Sequence, residues 1–191
     1  MSEAVSALNG AIFQGFVTVE EVGLQGMITL RGDFGSARLS SAVKAATGLL
    51  PPSQRKINAQ DDKAVAWMSP DELLILSPYD EAGSIAAKLA QALSAEHCLV
   101  QNVSDARAMF RLTGAPGTVR EVLAKMAPVD LSPQAFVPGE FRRTRLAQVA
   151  GAIWFEDTTT AQVICFRSVA EYVFKLLCAS AEEGGEVGFF T

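Results

Sequence analysis

Ile28-Thr29-Leu30-Arg31-Gly32 and Phe110-Arg111-Leu112-Thr113-Gly114 are two strand-like runs that each lead directly into an amphipathic helical pattern. The first run precedes a helix predicted over 36–47, and the second precedes a helix that begins at Pro116. The corresponding glycines are 82 residues apart. The sequence therefore indicates two copies of one structural unit.

The rest of each half supports the same repeat. Trp67 enters a predicted hairpin that ends at Leu76, and Trp154 enters one that ends at Phe166; a helix follows each hairpin. Both tryptophans are predicted to occupy the same place in the repeat. Each half thus runs strand, helix, strand, strand, helix, which is the split β-α-β order with helices on one face of an antiparallel sheet.

We predict an α+β fold of two pseudo-repeated split β-α-β units. They form one compact body over residues 1–191, with pseudo-repeats at approximately 16–96 and 97–180 and a C-terminal tail at 181–191. The predicted strands are 26–31, 64–68, 73–76, 98–103, 109–113, 141–146, 149–155 and 163–166. The first predicted helix begins at Ser36 and ends at Gly48, and the third begins at Pro116 and ends at Pro128. The second is predicted to be capped by Asp80, and the fourth to begin with a capping box from Ser168 to Glu171.

Composition excludes several classes of protein. Hydrophobic residues make up 49% of the chain and charged residues 19%, which indicates a globular protein. A net charge of −5 disfavours nucleic acid as a partner. Apolar runs stay short of the roughly 18 residues that a membrane span needs, and the first residues lack the pattern of a signal peptide. We therefore expect no membrane partner and a cytoplasmic location, with Cys98, Cys165 and Cys178 as reduced thiols.

The sequence offers few groups for catalysis. His97 is the single histidine, and a triad of Ser104, His97 and Asp105 is a weaker interpretation than an exposed histidine before a strand. The run 31–36 places two glycines before a helix, where an anion could bind, but a capped turn explains it better. We predict no catalytic, cofactor-binding or metal-binding residues.

Two surface features are candidates for contact with a partner. Arg142, Arg143 and Arg145 fall in a stretch of four residues inside the predicted strand 141–146. Because side chains alternate along a strand, Arg143 and Arg145 face one side and Arg142 the other. This places a two-residue basic edge where an acidic partner or an anionic ligand could bind. The tail ends in Phe189-Phe190, which are either frayed terminal aromatics or anchors for another subunit.

Five longer runs resemble the gamma subunit of heterotetrameric sarcosine oxidase. They are 25–33, 67–74, 103–107, 141–146 and 166–172, in the family's order, and the similarity extends over roughly residues 16–178. The chain is identified as a member of this family by these strings, which are long and uncommon.

The resemblance implies a component of a bacterial flavoenzyme with alpha, beta and delta subunits as partners. That complex oxidatively demethylates sarcosine to glycine and yields hydrogen peroxide with formaldehyde or 5,10-methylenetetrahydrofolate. FAD, FMN, NAD and tetrahydrofolate are expected in the whole complex and none in this chain. The family also resembles the folate-binding domains of the glycine-cleavage T-protein and of the tRNA-modifying GTPase group.

Two hypotheses of function remain open at this point. In the first, the chain is a noncatalytic assembly subunit whose surface, including Arg142, Arg143, Arg145, Phe189 and Phe190, contacts a larger subunit. In the second, it is a one-carbon module that binds tetrahydrofolate itself. The second requires a pocket of a few hundred Å³ with a carboxylate within reach of the pterin.

Overall fold

The computed structural model describes residues 3–190, which divide into two compact units. One unit consists of residues 25–104 and the other of residues 3–24 together with 105–190. The strands are β1 (Ile12–Gln14), β2 (Val17–Glu21), β3 (Gly26–Arg31), β4 (Ile57–Gln60), β5 (Lys63–Ser69), β6 (Glu72–Ser77), β7 (Leu99–Asn102), β8 (Arg107–Gly114), β9 (Phe141–Leu146), β10 (Val149–Phe155) and β11 (Thr160–Phe166). The α-helices are α1 (Ala37–Thr47), α2 (Ala82–Ala92), α3 (Thr118–Ala124) and α4 (Ala170–Ser180).

The two units share one sheet topology. The five-stranded sheet has the order β4-β5-β6-β3-β7, and the six-stranded sheet, taken from its other edge, has the order β9-β10-β11-β8-β2-β1. Every pairing in both sheets is antiparallel. In each unit the first strand of the repeat, β3 or β8, pairs with the fourth, β6 or β11. The predicted α+β fold with two antiparallel sheets and packed helices is confirmed.

The strand on the other side of the first repeat strand, β7 beside β3 or β2 beside β8, comes from a different part of the chain in each unit. In the unit 25–104, β7 follows α2 and pairs with β3. In the other unit, β2 precedes β3 in sequence and pairs with β8. The boundaries of the spatial units therefore lie between residues 24 and 25 and between residues 104 and 105. The pseudo-repeats at 16–96 and 97–180 within one body divide the sequence in another way, and they stay a prediction.

The helix boundaries follow local hydrogen bonding. Ser36 caps α1 by accepting the Leu39 amide at 3.2 Å, and Gly48 ends the helix at φ +80°. The predicted caps at Asp80 and Ser168 are wrong, because short 3-10 turns at Tyr79–Glu81 and Arg167–Val169 precede α2 and α4. Their own carbonyls accept the first helical amides, so a side-chain cap is not needed. Helix α3 begins at Thr118, two residues after Pro116.

Each sheet packs its helices against one face. Helices α1 and α2 cover Ile28, Leu30, Val65, Leu73 and Ile75, while α3 and α4 cover Phe110, Leu112, Ile153, Phe155 and Val163. Several strands are nevertheless buried on both faces, as in β11, where residues 161–165 are all inaccessible. Continuous apolar runs in these strands follow from burial on two sides. Within residues 3–190 no helix is long and apolar enough to cross a membrane.

The two tryptophans do not occupy equivalent places. Trp67 pairs with Leu73, whose side chain lies in the core beneath α1 and α2. Trp154 pairs with Gln162 and stacks on Phe141 with ring centroids 5.5 Å apart, on the face opposite the helices. The position equivalent to Trp67 is Phe155. A slip of one residue reverses the face, because side chains alternate along a strand.

Gly151 in β10 is predicted to be intolerant of any side chain. A Cβ there would come 2.7 Å from Leu146 Cδ1 and 2.8 Å from the Ile164 carbonyl oxygen. Gly151→Ala should lower the free energy of unfolding by about 1–3 kcal/mol through overpacking. Exposed Gly83 in α2 has open space around it, so the control Gly83→Ala should be neutral or stabilise by up to about 1 kcal/mol. Urea denaturation measures both, and equal midpoints would contradict the close approach.

Cys165 is predicted to be unreactive in the native protein. Its side chain lies in the core beneath α3 and α4, and burial raises the pKa of its thiol to about 12, an effect that the charge of Arg107 only partly offsets. At pH 8 iodoacetamide should therefore modify Cys98 well before Cys165, and stability should fall as the pH rises from about 9 towards 12. Peptide mapping by mass spectrometry measures the labelling; equal rates in the native chain would contradict this prediction.

Candidate functional site

The basic edge is formed by Arg143 and Arg145 on β9, which is an edge strand of the six-stranded sheet. These residues pair with Ala152 and Ala150 of β10, and both are exposed. Arg145 donates to the side-chain carbonyl of Gln148 at 3.0 Å. The two guanidinium groups are thus on one face of an edge strand, as the alternation of side chains predicted.

Arg142 lies on the other face of β9 and is used internally. It pairs with Ile153, a core residue, and its side chain is only 19% exposed. The guanidinium contacts the Glu140 carboxylate and lies 4.9 Å from the centre of the Phe136 ring. The structure therefore does not bring Arg142 onto the surface that Arg143 and Arg145 share.

The C-terminal tail, described here over residues 181–190, is held by Glu121 of α3. The backbone amides of Val187 and Phe189 donate to its carboxylate at 2.9 Å and 2.8 Å, and the Phe190 amide lies at 3.5 Å. Glu121 is only 3% exposed, although it is a charged residue. A buried carboxylate requires several donors to replace water, and the tail supplies them.

The pKa of Glu121 reflects both its burial and these donors. Desolvation by itself raises the pKa, since it penalises the carboxylate. The amides of Val187, Phe190, Phe189 and Gly188 together outweigh that effect, and the net pKa lies below its ordinary value. Glu121 is therefore ionised at neutral pH, as its role as an acceptor requires.

Lys125 holds the start of the tail. Its ammonium donates to the Ser180 carbonyl and to the Gly185 carbonyl, each at 2.7 Å, and lies 5.1 Å from the centre of the Phe16 ring. Glu121 and Lys125 are four residues apart and act on opposite backbone groups. The carboxylate binds N–H groups of the tail, while the ammonium binds its carbonyls.

The two terminal aromatics have different surroundings. Phe190 is half-buried and packs against the core beneath α3 and α4, whereas Phe189 is 78% exposed. The rings meet edge to face with centroids 4.9 Å apart. Val187 is also 72% exposed. The interpretation of this segment as frayed does not agree with these contacts; Thr191 lies outside the described residues.

Arg120 fixes the loop that leads into β9. Its guanidinium donates to the carbonyls of Leu131 and Phe136 at 2.7 Å and 3.0 Å and lies 4.2 Å from the centre of the Phe155 ring. Burial lowers the pKa of this guanidinium from its ordinary value, which still leaves it charged at neutral pH. The sequence interpretation missed Arg120, Glu121 and Lys125. A signal was present in two adjacent charges inside the apolar run from Val119 to Leu123.

The N-terminal segment is held in the same way by Glu21, the last residue of β2. Its carboxylate accepts the Ser6 hydroxyl at 2.8 Å and the amides of Leu8 and Gly10 at 2.9 Å and 2.8 Å. Glu21 is 2% exposed. The buried carboxylates of this unit thus bind backbone of the two terminal segments.

A separate cleft of about 500 Å³ lies in the unit 25–104, lined by Arg31, Gly32, Asp33, Asp71, His97, Cys98 and Leu99. Arg31 and Asp71 form an ion pair at 2.6 Å in which both side chains are about half exposed. Asp33 accepts the Gly35 amide at 2.8 Å, which makes the capped turn that the sequence indicated. His97 is exposed. Among residues 3–190 no cluster of three His, Cys, Asp or Glu side chains is placed to hold a metal ion.

Ser104 has a structural environment. Its hydroxyl accepts the Met27 amide at 2.9 Å and donates to Asn102 Oδ1 at 2.6 Å, which joins the end of β7 to the start of β3. Burial also raises the pKa of the Cys178 thiol. Neither residue has the environment of an activated nucleophile.

Comparison with known proteins identifies the family. The family model described as "Sarcosine oxidase, gamma subunit family" matches residues 31–183. The sarcosine oxidase subunit gamma of Corynebacterium sp. (strain P-1) is 32% identical over 172 residues, which are 88% of this chain and 82% of that protein.

Solved structures give the same result. A chain of the heterotetrameric sarcosine oxidase from Corynebacterium sp. U-96, in complex with pyrrole 2-carboxylate, is 27% identical with a TM-score of 0.78, covering 86% of this chain and 83% of that one. The glycine cleavage system aminomethyltransferase T from Bartonella henselae, 13% identical with a TM-score of 0.60, covers 85% of this chain and 46% of that one and shares the fold alone. On the family match and these similarities, the chain belongs to the sarcosine oxidase gamma subunit family.

Proposed function

We propose that this chain is the noncatalytic gamma subunit of a heterotetrameric sarcosine oxidase, in which it assembles with alpha, beta and delta subunits. The observation that carries the proposal is its similarity, over 86% of its length, to a chain of a heterotetrameric sarcosine oxidase. The complex would oxidatively demethylate sarcosine to glycine in the cytoplasm, producing hydrogen peroxide with formaldehyde or 5,10-methylenetetrahydrofolate. FAD, FMN, NAD and tetrahydrofolate would be held by the other subunits.

The use of buried charges supports a structural role for this chain. Arg120 and Glu121, each less than 5% exposed, both bind backbone groups of the loops around them. A group saturated by backbone partners is poorly placed to exchange protons with a substrate, because it would have to leave those partners uncompensated. By holding these loops in one conformation, the two charged residues define the shape of the nearby protein surface. A surface of defined shape is what an assembly subunit needs.

The basic edge offers a contact for an acidic partner surface. Arg143 and Arg145 are exposed on the outermost strand of a sheet, in a chain whose net charge is −5. Against that negative background two adjacent guanidinium groups define one orientation for an acidic surface. We propose that this edge contacts a larger subunit.

Reversal of these two charges tests the basic edge. Arg143→Glu with Arg145→Glu should weaken association of the chain with its partner subunits about tenfold or more, because like charges would then face each other. Lys44→Glu with Lys88→Glu, which changes the net charge equally at exposed positions on α1 and α2, should leave the association within about twofold. Quantitative co-purification from a strain that coexpresses all four subunits measures both. An unchanged yield of the arginine variant would contradict the assignment.

A second candidate function is tetrahydrofolate binding by this chain. The cleft of about 500 Å³ has the volume of a small-molecule site, with Arg31 available for a carboxylate and Asp33 and Asp71 available for a pterin. Arg31 and Asp71 already neutralise each other, and the lining residues within 3–190 include no Phe, Tyr or Trp to stack on a pterin. The cleft therefore supports this function less well than the surface supports assembly.

Calorimetry separates the two functions. Titration of the purified full chain with tetrahydrofolate should give no saturable heat if the chain is an assembly subunit only. Saturable binding that Arg31→Ala weakens about tenfold, as expected for loss of a charged hydrogen bond, would establish the second function and place it in the cleft. Arg38→Ala, on α1 away from the cleft lining, is the control.

A further inference from the structure

We propose that the C-terminal tail is a pre-ordered anchor, in which the Glu121 and Lys125 clamp presents Val187 and Phe189 to an apolar socket rimmed by Lys and Arg on a larger subunit. The proposal deepens the assembly function and rests on it. Residues 184–190 of the tail lie outside the residues 31–183 that match the family model. Its role therefore has to be argued from its own contacts.

The tail is held in one conformation by charged side chains. Residues 182–189 include seven exposed positions, and the segment has neither helix nor strand pairing. Such a segment would lose conformational freedom on folding with little apolar burial in return. Here the clamp provides four hydrogen bonds to the tail backbone, from the amides of Val187, Phe189 and Phe190 to Glu121 and from Lys125 to the Gly185 carbonyl. A fifth, from Lys125 to the Ser180 carbonyl, ties the tail to the end of α4. The Glu121 carboxylate and the Lys125 ammonium therefore hold the tail in its conformation.

The ordered tail exposes two apolar side chains. Phe190 packs against the core and fixes the end of the tail, while its neighbour Phe189 is 78% exposed and Val187 is 72% exposed. A side chain held outward next to a half-buried, packed one has already lost much of the freedom that binding would remove. Rigid exposed aromatics of this kind are typical of the residues that dominate protein interfaces.

The charge of the tail indicates the chemistry of the partner surface. Glu182, Glu183 and Glu186 are exposed and precede the apolar pair in the same short segment, so the tail is acidic and ends in an apolar tip. Burial of the tip next to an acidic partner surface would bring like charges together, which disfavours such a partner. The matching surface is an apolar socket with a basic rim. The basic edge on β9 could supply such a rim on a second copy of this chain, so self-association is the competing outcome.

The test measures association in the complete complex. Phe189→Ser should weaken binding of the chain to its partner subunits about tenfold or more, as for the central residue of an interface. The control Leu50→Ser removes another apolar side chain, 52% exposed in the unit 25–104, and should change binding less than twofold. Wild-type assembly together with equal effects of the two variants would overturn the anchor. Failure of the wild-type chain to assemble would instead remove the assembly function.

The role of Glu121 is tested by a double-mutant cycle. Glu121→Gln should raise the exchange rates of the tail amides about tenfold or more in the full chain, because the charged acceptor is lost. It should also weaken assembly, and this effect should disappear when Phe189 is already Ser. Additive effects would mean that Glu121 acts through general stability, and would overturn its part in the anchor. Lys125→Met is the second variant, with the same expected pattern.

Light scattering tests the alternative in which the tail binds a second copy of this chain. The full chain alone should remain monomeric at micromolar concentration, since its anchor fits a different subunit. A dimer or larger species that Phe189→Ser returns to monomer would assign the tail to self-association and overturn the partner stated above.

Discussion

Helix α3 is seven residues long, yet its charged side chains fix the surface of the unit made of residues 3–24 and 105–190. Arg120 binds the carbonyls of the loop that enters β9, Glu121 binds the amides of the tail, and Lys125, the residue that follows the helix, binds the carbonyls at its start. Both surface features proposed for assembly therefore depend on one short helix. The core beneath that helix fixes where these charges can reach.

Charge-assisted bonds of this kind specify a conformation more than they add stability. Removing Arg120 or Glu121 from water carries a desolvation cost that several good hydrogen bonds are needed to offset. Loss of one partner is far more expensive, because the remaining charge stays buried without compensation. The loops attached to such groups consequently have few alternative conformations. That property suits a protein whose surface must be presented in one shape.

The sequence predicted the fold where periodicity was strong and local. The hairpin of β5 and β6 and the strands β9 and β10 follow from alternation and turn residues. Strands β1, β2 and β4 escaped prediction, since β1 has three residues, β4 is largely exposed, and β2 (VTVEE) ends in a buried glutamate that resembles a surface residue. Trp67 and Trp154 show the limit of aligning repeats by residue type, because a slip of one position changes the sheet face.

The candidate surface was harder to predict than the fold, for a physical reason. The alternation along β9 was enough to separate Arg143 and Arg145 from Arg142, since strand geometry is local. Whether Phe189 is frayed or held depends on Glu121, which lies 68 residues earlier in the chain. Secondary-structure propensity is a local property and contains no information about such a contact. Charged residues next to an apolar stripe are ordinarily solvated. Only when loops fold back over α3 do Arg120 and Glu121 become interior groups.

The two surface features carry opposite charges, and this has a consequence for docking. A partner that accepts both the basic edge and the acidic tail must present an acidic region to the first and a basic region to the second. The reversed orientation would bring like charges together at both places, so it is disfavoured twice. Opposite charges on one rigid unit therefore define orientation as well as attraction. Because buried hydrogen bonds of α3 set the position of the tail and of the loop before β9, that orientation is encoded in the folded chain before any partner arrives.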